Sequence, residues 1–200
     1  MAAPERLDPE LLPGQLSLPA DWTKVFGRAA PLVVEIGCGG GRFIVSQAQT
    51  HPDWNLLAIE RANEYFKLLK ERIAKRRLTN IRVMRTDAAD LVAACFPDRC
   101  VSIYHVYFPD PWPKKRHRKR RLFTEAFCAE LRRTLAPGGT LFFATDHPEY
   151  YREVLPLLRA VLDVTEHPEP WEDAPAGRTN YEIKYLRQGR PIYRLVARRG

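Results

Sequence analysis

Long apolar runs are missing from this 200-residue chain: no stretch approaches the roughly 18 residues that would suggest a membrane span. Its start, Met-Ala-Ala-Pro-Glu-Arg, has no apolar stretch following a basic one, so no secretory leader is expected. Cysteine is scarce. Cys38, Cys95, Cys100 and Cys128 are scattered without C-x-x-C spacing, which excludes a zinc knuckle and argues against a disulfide framework. Internal repeats and low-complexity linkers are absent too. These absences lead to the expectation of a cytoplasmic protein with no metal and no membrane partner. At this length one α/β domain with a full core is expected, and little remains for a second.

What is present is an uneven charge. Lys and Arg number 32 against 24 Asp and Glu, a formal net charge of +8. The segment Lys114-Lys115-Arg116-His117-Arg118-Lys119-Arg120-Arg121 holds seven of these cations, leaving about +1 (8 − 7) for everything else. A concentrated patch of this kind attracts polyanions locally. Its bland reading is a solvated, flexible loop.

Residues 1–31 are rich in Pro and Leu without periodicity and read as an irregular N-terminal arm; residues 32–200 read as the domain proper. From there strands alternate with helices. Leu32–Ile36, 55–60, 81–85, 101–108 and 141–145 read as buried strands, and 41–50, 63–77 and 123–135 as helices, with another beginning near Pro148. This succession predicts right-handed crossovers and a doubly wound α/β sheet, mostly parallel. Residues 161–165 and 192–197 look like strands joined by a long polar connection with no helical pattern, which fits an antiparallel C-terminal hairpin.

In open sheets of this type, ligands bind beyond the carboxyl ends of the strands. After the first strand comes Glu35-Ile36-Gly37-Cys38-Gly39-Gly40-Gly41-Arg42. Gly37, Gly39 and Gly41 let the backbone approach a ligand closely, although a tight strand-to-helix connection alone would also use them. A dinucleotide fingerprint expects a third glycine where this chain has Arg42. Glu35 before the first glycine is awkward for a pyrophosphate and favourable for a sulfonium or ammonium group. Glu60 ends the second strand, where a carboxylate can accept from ribose hydroxyls. Asp87 ends the third, suited to an adenine amino group; capping a following helix is its alternative reading. Three acids at successive strand ends suit a cationic nucleoside without phosphates, namely S-adenosyl-L-methionine.

The fourth strand leaves through Phe108-Pro109-Asp110-Pro111-Trp112-Pro113-Lys114. Three prolines around Asp110 reduce the entropy cost of fixing its carboxylate, and Trp112 offers a face on which a base can stack.

From Phe108 to His117 this loop closely resembles the signature of the bacterial tRNA (guanine-N(7)-)-methyltransferase family. The resemblance runs from about Leu32 to Val196 and includes Ala144-Thr145-Asp146 and the T-x-x-E segment Thr179-Asn180-Tyr181-Glu182. It implies a class I methyltransferase fold with a seven-stranded sheet, and transfer of a methyl group from S-adenosylmethionine to N(7) of guanine 46 in the variable loop of tRNA. It further implies that Glu35, Glu60, Asp87 and Asp110 bind the cofactor, with Asp110 also the active residue. Lys114, Asp146, Thr179, Asn180, Tyr181 and Glu182 would contact substrate. Lys115, Arg116, Arg118, Lys119 and Arg120 are expected to meet RNA phosphates.

The chemistry agrees, because guanine N(7) carries an in-plane lone pair and needs no base to free it. Bland readings remain for two of these acids: Asp146 as a helix cap, and Glu182 as a counter-charge to Lys184 or Arg178. The resemblance departs at the N-terminus, which is short and proline-rich, and at Arg118, where the family commonly has a second histidine. Competing readings are a methyltransferase for another nucleic-acid or small-molecule substrate, and a non-catalytic RNA-binding protein on the same fold. The sequence fits a monomer or a homodimer equally.

Overall fold

The computed structural model describes residues 8–167 and 179–200. Arg178 and the first seven residues of the N-terminal arm lie outside the described residues.

The strands are β1 (Leu32–Ile36), β2 (Asn55–Ile59), β3 (Ile81–Met84), β4 (Val101–Tyr107), β5 (Leu135–Thr145), β6 (Asp163–Glu166) and β7 (Tyr193–Arg198). They form one seven-stranded sheet in the order β3-β2-β1-β4-β5-β7-β6. β3 through β5 pair in parallel, while β7 runs antiparallel to both β5 and β6. The helices are α1 (Trp22–Phe26), α2 (Arg42–Thr50), α3 (Asn63–Arg76), α4 (Ala88–Cys95), α5 (Glu125–Thr134), α6 (Pro148–Arg159) and α7 (Asn180–Arg187).

Every residue of β1, β2 and β3 is buried, the pattern of parallel strands covered on both faces. Successive side chains point to opposite sides, and so build two cores. On one face Val34, Ile36, Tyr104, Val106 and Phe143 pack with residues of α4, α5 and α6. On the other, Val33, Leu56, Ala58 and Val83 pack with Ile44 and Val45 of α2 and Phe66, Leu69 and Ile73 of α3. Glu35 shares the second face with Val33, so its carboxylate is directed beneath the start of α2.

The sequence reading differs from the structure in three places. The N-terminal segment contains α1, donates Leu11, Leu16, Ala20 and Trp22 to the core, and bridges Glu10 to Val83, covering the β3 edge. Its packing comes from scattered apolar side chains, which have no period to detect. The connection between β6 and β7 holds α7, where a plain polar link is expected from sequence. That helix escapes a search for aliphatic periodicity because its one buried residue is Glu182. β5 begins at Leu135 rather than 141, running through Pro137-Gly138-Gly139 with a register shift between Val101 and Ile103. No helix of the described residues is long and apolar enough to cross a membrane.

Candidate active site

A cavity of about 610 Å³ opens beyond the carboxyl ends of β1 to β4. Its wall includes Gly37, Gly39, Glu60, Asp87, Asp110, Trp112 and Tyr181, together with Lys119 and Arg120. Residues from six separate stretches of chain therefore meet at one rim of the sheet.

The glycine loop is held in one shape. Gly41 has φ +72°, and a Cβ there would lie 2.2 Å from Leu69 Cδ1, so a larger residue is excluded by both backbone and space. Gly39 N–H donates to Glu60 Oε2 at 2.7 Å, and Ala62 N–H donates to Glu60 Oε1 at 2.7 Å. Glu60 thus ties the loop to the end of β2 while facing the cavity, and each of its oxygens keeps a second lone pair. Asp87 does what both of its readings require: Oδ1 accepts from Ala89 N–H at 2.9 Å as the cap of α4, and the residue lines the cavity.

Glu35 is different. It is buried under the loop rather than in the cavity wall, and its Oε2 has no hydrogen-bond partner. Desolvation by burial pushes its carboxyl well above the usual range, and the neighbouring Glu60 charge adds to this; a hydrogen bond from the Ile44 backbone opposes it. An unpartnered buried carboxylate is costly unless a cation or donor completes it. In the next strand the register sets Glu35 beside His105 and His105 beside Phe142. His105 Nδ1 is hydrogen-bonded to Tyr107 Oη at 2.7 Å, and burial drives the imidazole pKa down to about 3.

The Asp110 loop is braced by a residue that sequence reasoning left inside the basic run. Arg121 is buried, its side chain only 4% exposed. Its Nε donates to Pro111 O at 2.7 Å, it pairs with Glu153, and its guanidinium lies 5.0 Å over the Tyr150 ring. Phe108 and Trp112, on either side of Asp110, have φ of +50° and +41°. Such conformations cost on the order of 1 to 3 kcal/mol each and persist only where surroundings enforce them. Adjacent cations look alike in sequence; only contact with the loop carbonyl separates Arg121 from its neighbours.

The rest of the run is mixed. Lys114, Lys115 and Arg116 are exposed and stand outside the cavity wall. Lys119 and Arg120 are exposed too but line it, and Arg120 lies 5.1 Å over the Trp112 ring, covering one of its faces. Arg118 is engaged with Glu153 at 3.1 Å and Glu149 at 3.9 Å.

Of the described C-terminal residues, only Tyr181 lines this cavity. Thr179 Oγ1 caps α7 by accepting from Glu182 N–H at 3.0 Å, half of a capping box. The Glu182 carboxylate turns instead to Arg194 of β7 at 2.8 Å, with the two side chains 8% and 3% exposed. Its counter-ion is therefore Arg194 and not Lys184. Asp146 pairs with Arg190, and His147 takes the cap position of α6.

Comparisons with known proteins identify the family and the fold. The family described as "Putative methyltransferase" matches residues 29–195. A tRNA (guanine-N(7)-)-methyltransferase of Geobacter metallireducens is 38% identical over 187 residues, 92% of this chain and 89% of its own. One of the same name from Alkalilimnicola ehrlichii is 39% identical over 184 residues, covering 90% and 78%. Among solved structures, a SAM dependent methyltransferase from Aquifex aeolicus shares the fold with a TM-score of 0.58 at 18% identity, covering 89% of each chain.

Proposed function

Because the chain belongs to the tRNA (guanine-N(7)-)-methyltransferase family, we infer that it methylates N(7) of guanine 46 in the variable loop of tRNA, using S-adenosyl-L-methionine. The observation that carries this reading is the cavity itself: Glu60, Asp87 and Asp110 around one rim, with the unpartnered oxygen of Glu35 under its glycine loop.

These residues fit the methyl donor. The Oε2 of the buried Glu35 lacks a cationic or donor partner, which the ammonium of an amino acid moiety would supply. The second lone pairs of Glu60 suit ribose hydroxyls, and Asp87 suits an exocyclic amine. The donor provides a methyl carbon on a positively charged sulfur, transferred to a lone pair without prior proton removal.

The protein's own task is then placement and charge. Asp110, held by its prolines and by Arg121, faces the region where the purine turns cationic, and a fixed carboxylate there lowers the barrier. Tyr181 and Trp112, both in the cavity wall, flank the base, while Lys114, Lys115, Arg116, Lys119 and Arg120 supply cations for the phosphates. The Thr179–Glu182 segment and Asp146 form the substrate side, with Glu182 setting α7 through Arg194.

Deleting the gene and digesting bulk tRNA to nucleosides tests the reading. The strain is expected to lose 7-methylguanosine and regain it with a plasmid copy; an undiminished level would refute the assignment.

A further inference from the structure

A second cavity, of about 330 Å³, adjoins the first. The two share a wall: Tyr181 faces the first and the preceding Asn180 faces the second, while Gly39 and Gly41 stand on the two sides of the glycine loop. What lines the second cavity is basic. Arg42 begins α2, and Arg72 and Arg76 lie one turn apart on α3, so their side chains share a face.

Among the described residues no carboxylate lines this cavity and none of the three arginines is ion-paired. Some other arginines do have acidic partners: Arg118 and Arg121 with Glu153, Arg133 with Glu130, Arg159 with Glu166, Arg194 with Glu182. Arg72 is also fixed in place by donating to Gly40 O. Arg76 Nη1 donates to the backbone carbonyl of Arg72 at 3.3 Å, one turn back on the same helix. Three guanidiniums lining one concavity, with no acid among its described lining residues, favour an anion there.

We propose that this cavity binds a backbone phosphate of the RNA whose target base occupies the neighbouring cavity. The inference rests on the proposed tRNA substrate and adds a contact point that the Lys114–Arg120 run does not provide. An RNA strand crossing the Asn180–Tyr181 wall is then held by cations at both cavities, so that the base is presented in one register.

Arg72 supports the glycine loop, so the test uses Arg42→Gln and Arg76→Gln. The affinity of the intact protein for tRNA is measured across salt concentrations, alongside its affinity for S-adenosylhomocysteine. The double variant is expected to bind S-adenosylhomocysteine as the wild type does, while the slope of log affinity against log salt falls by about 0.7 to 0.9, the loss of one phosphate contact. The conservative pair Arg42→Lys and Arg76→Lys should keep most of the slope. Arg76→Gln alone, at an exposed helix position, serves if the double variant folds poorly, and should lower the slope in the same direction by a smaller amount.

A wild-type slope in these variants overturns the proposal. So does micromolar binding of inorganic phosphate or guanosine monophosphate that the double substitution abolishes with tRNA binding unchanged, which would assign the cavity to a free phosphate. Failure of the substrate reading is separately visible, as wild-type protein that forms no 7-methylguanosine in tRNA.

Discussion

Glu35 is where stability and function pull apart most clearly. A carboxylate buried under a glycine loop, with one oxygen unpartnered, has no purpose in the free protein and costs free energy there. Glu35→Gln removes the charge and keeps the shape. The free variant should be more stable than wild type at pH 7, by on the order of 1 kcal/mol. The same change should weaken S-adenosylmethionine binding by about 1.5 to 3 kcal/mol, the usual worth of a hydrogen bond to a charged group. Thermal denaturation and calorimetric titration of one protein preparation check both signs. A variant that is destabilised and still binds the cofactor normally would make Glu35 a structural residue only.

Between elements, the decisive contact is the buried pair that fastens α7 to β7. Arg194→Met leaves Glu182 as a lone buried charge and should destabilise by about 3 to 5 kcal/mol. Adding Glu182→Met replaces the pair with apolar packing and should recover most of that loss. Because Glu182 is proposed to serve the substrate side, the double variant should remain impaired in KM for tRNA although its melting temperature returns. Recovery of both would reduce the T-x-x-E segment to a helix start.

This is also the region least legible in sequence. β1 to β4 and α3 stand out because continuous apolar runs and a 3.6-residue stripe report burial directly. α7 reports nothing of the kind: its buried face is an acid whose partner is 12 residues away in another strand. Arg121 shows the same limit, as does the second cavity, assembled from Arg42 and from two residues 30 and 34 positions later. Contacts made in space by residues of ordinary type leave no local pattern. Glu60 and Asp87, proposed to hold the cofactor, are legible because the fold itself fixes where strand ends go.

Across the molecule, the row Glu35–His105–Phe142 buries two titratable groups with opposite pH responses. His105 is depressed from 6.5 to about 3, so its neutral form stabilises the fold above pH 6.5 and that stability is lost as pH falls toward 3. Glu35 is raised, so its contribution is present at low pH and lost as pH rises. The histidine is isolated in the Glu35→Gln background. There the unfolding free energy should drop by about 2 kcal/mol between pH 6.5 and 5, and His105→Phe should flatten that drop. An equally steep profile in the phenylalanine variant would assign the sensitivity to other groups.

The central claim is that an acidic rim delivers a methyl group to a purine nitrogen in tRNA. Its most direct test is to incubate purified protein with unmodified tRNA and methyl-labelled S-adenosylmethionine, digest the RNA, and identify the labelled nucleoside. Label is expected in 7-methylguanosine, with Asp110→Ala slowed by roughly 100-fold, about 3 kcal/mol of barrier. Label in any other nucleoside, or full-rate transfer by that variant, would contradict it.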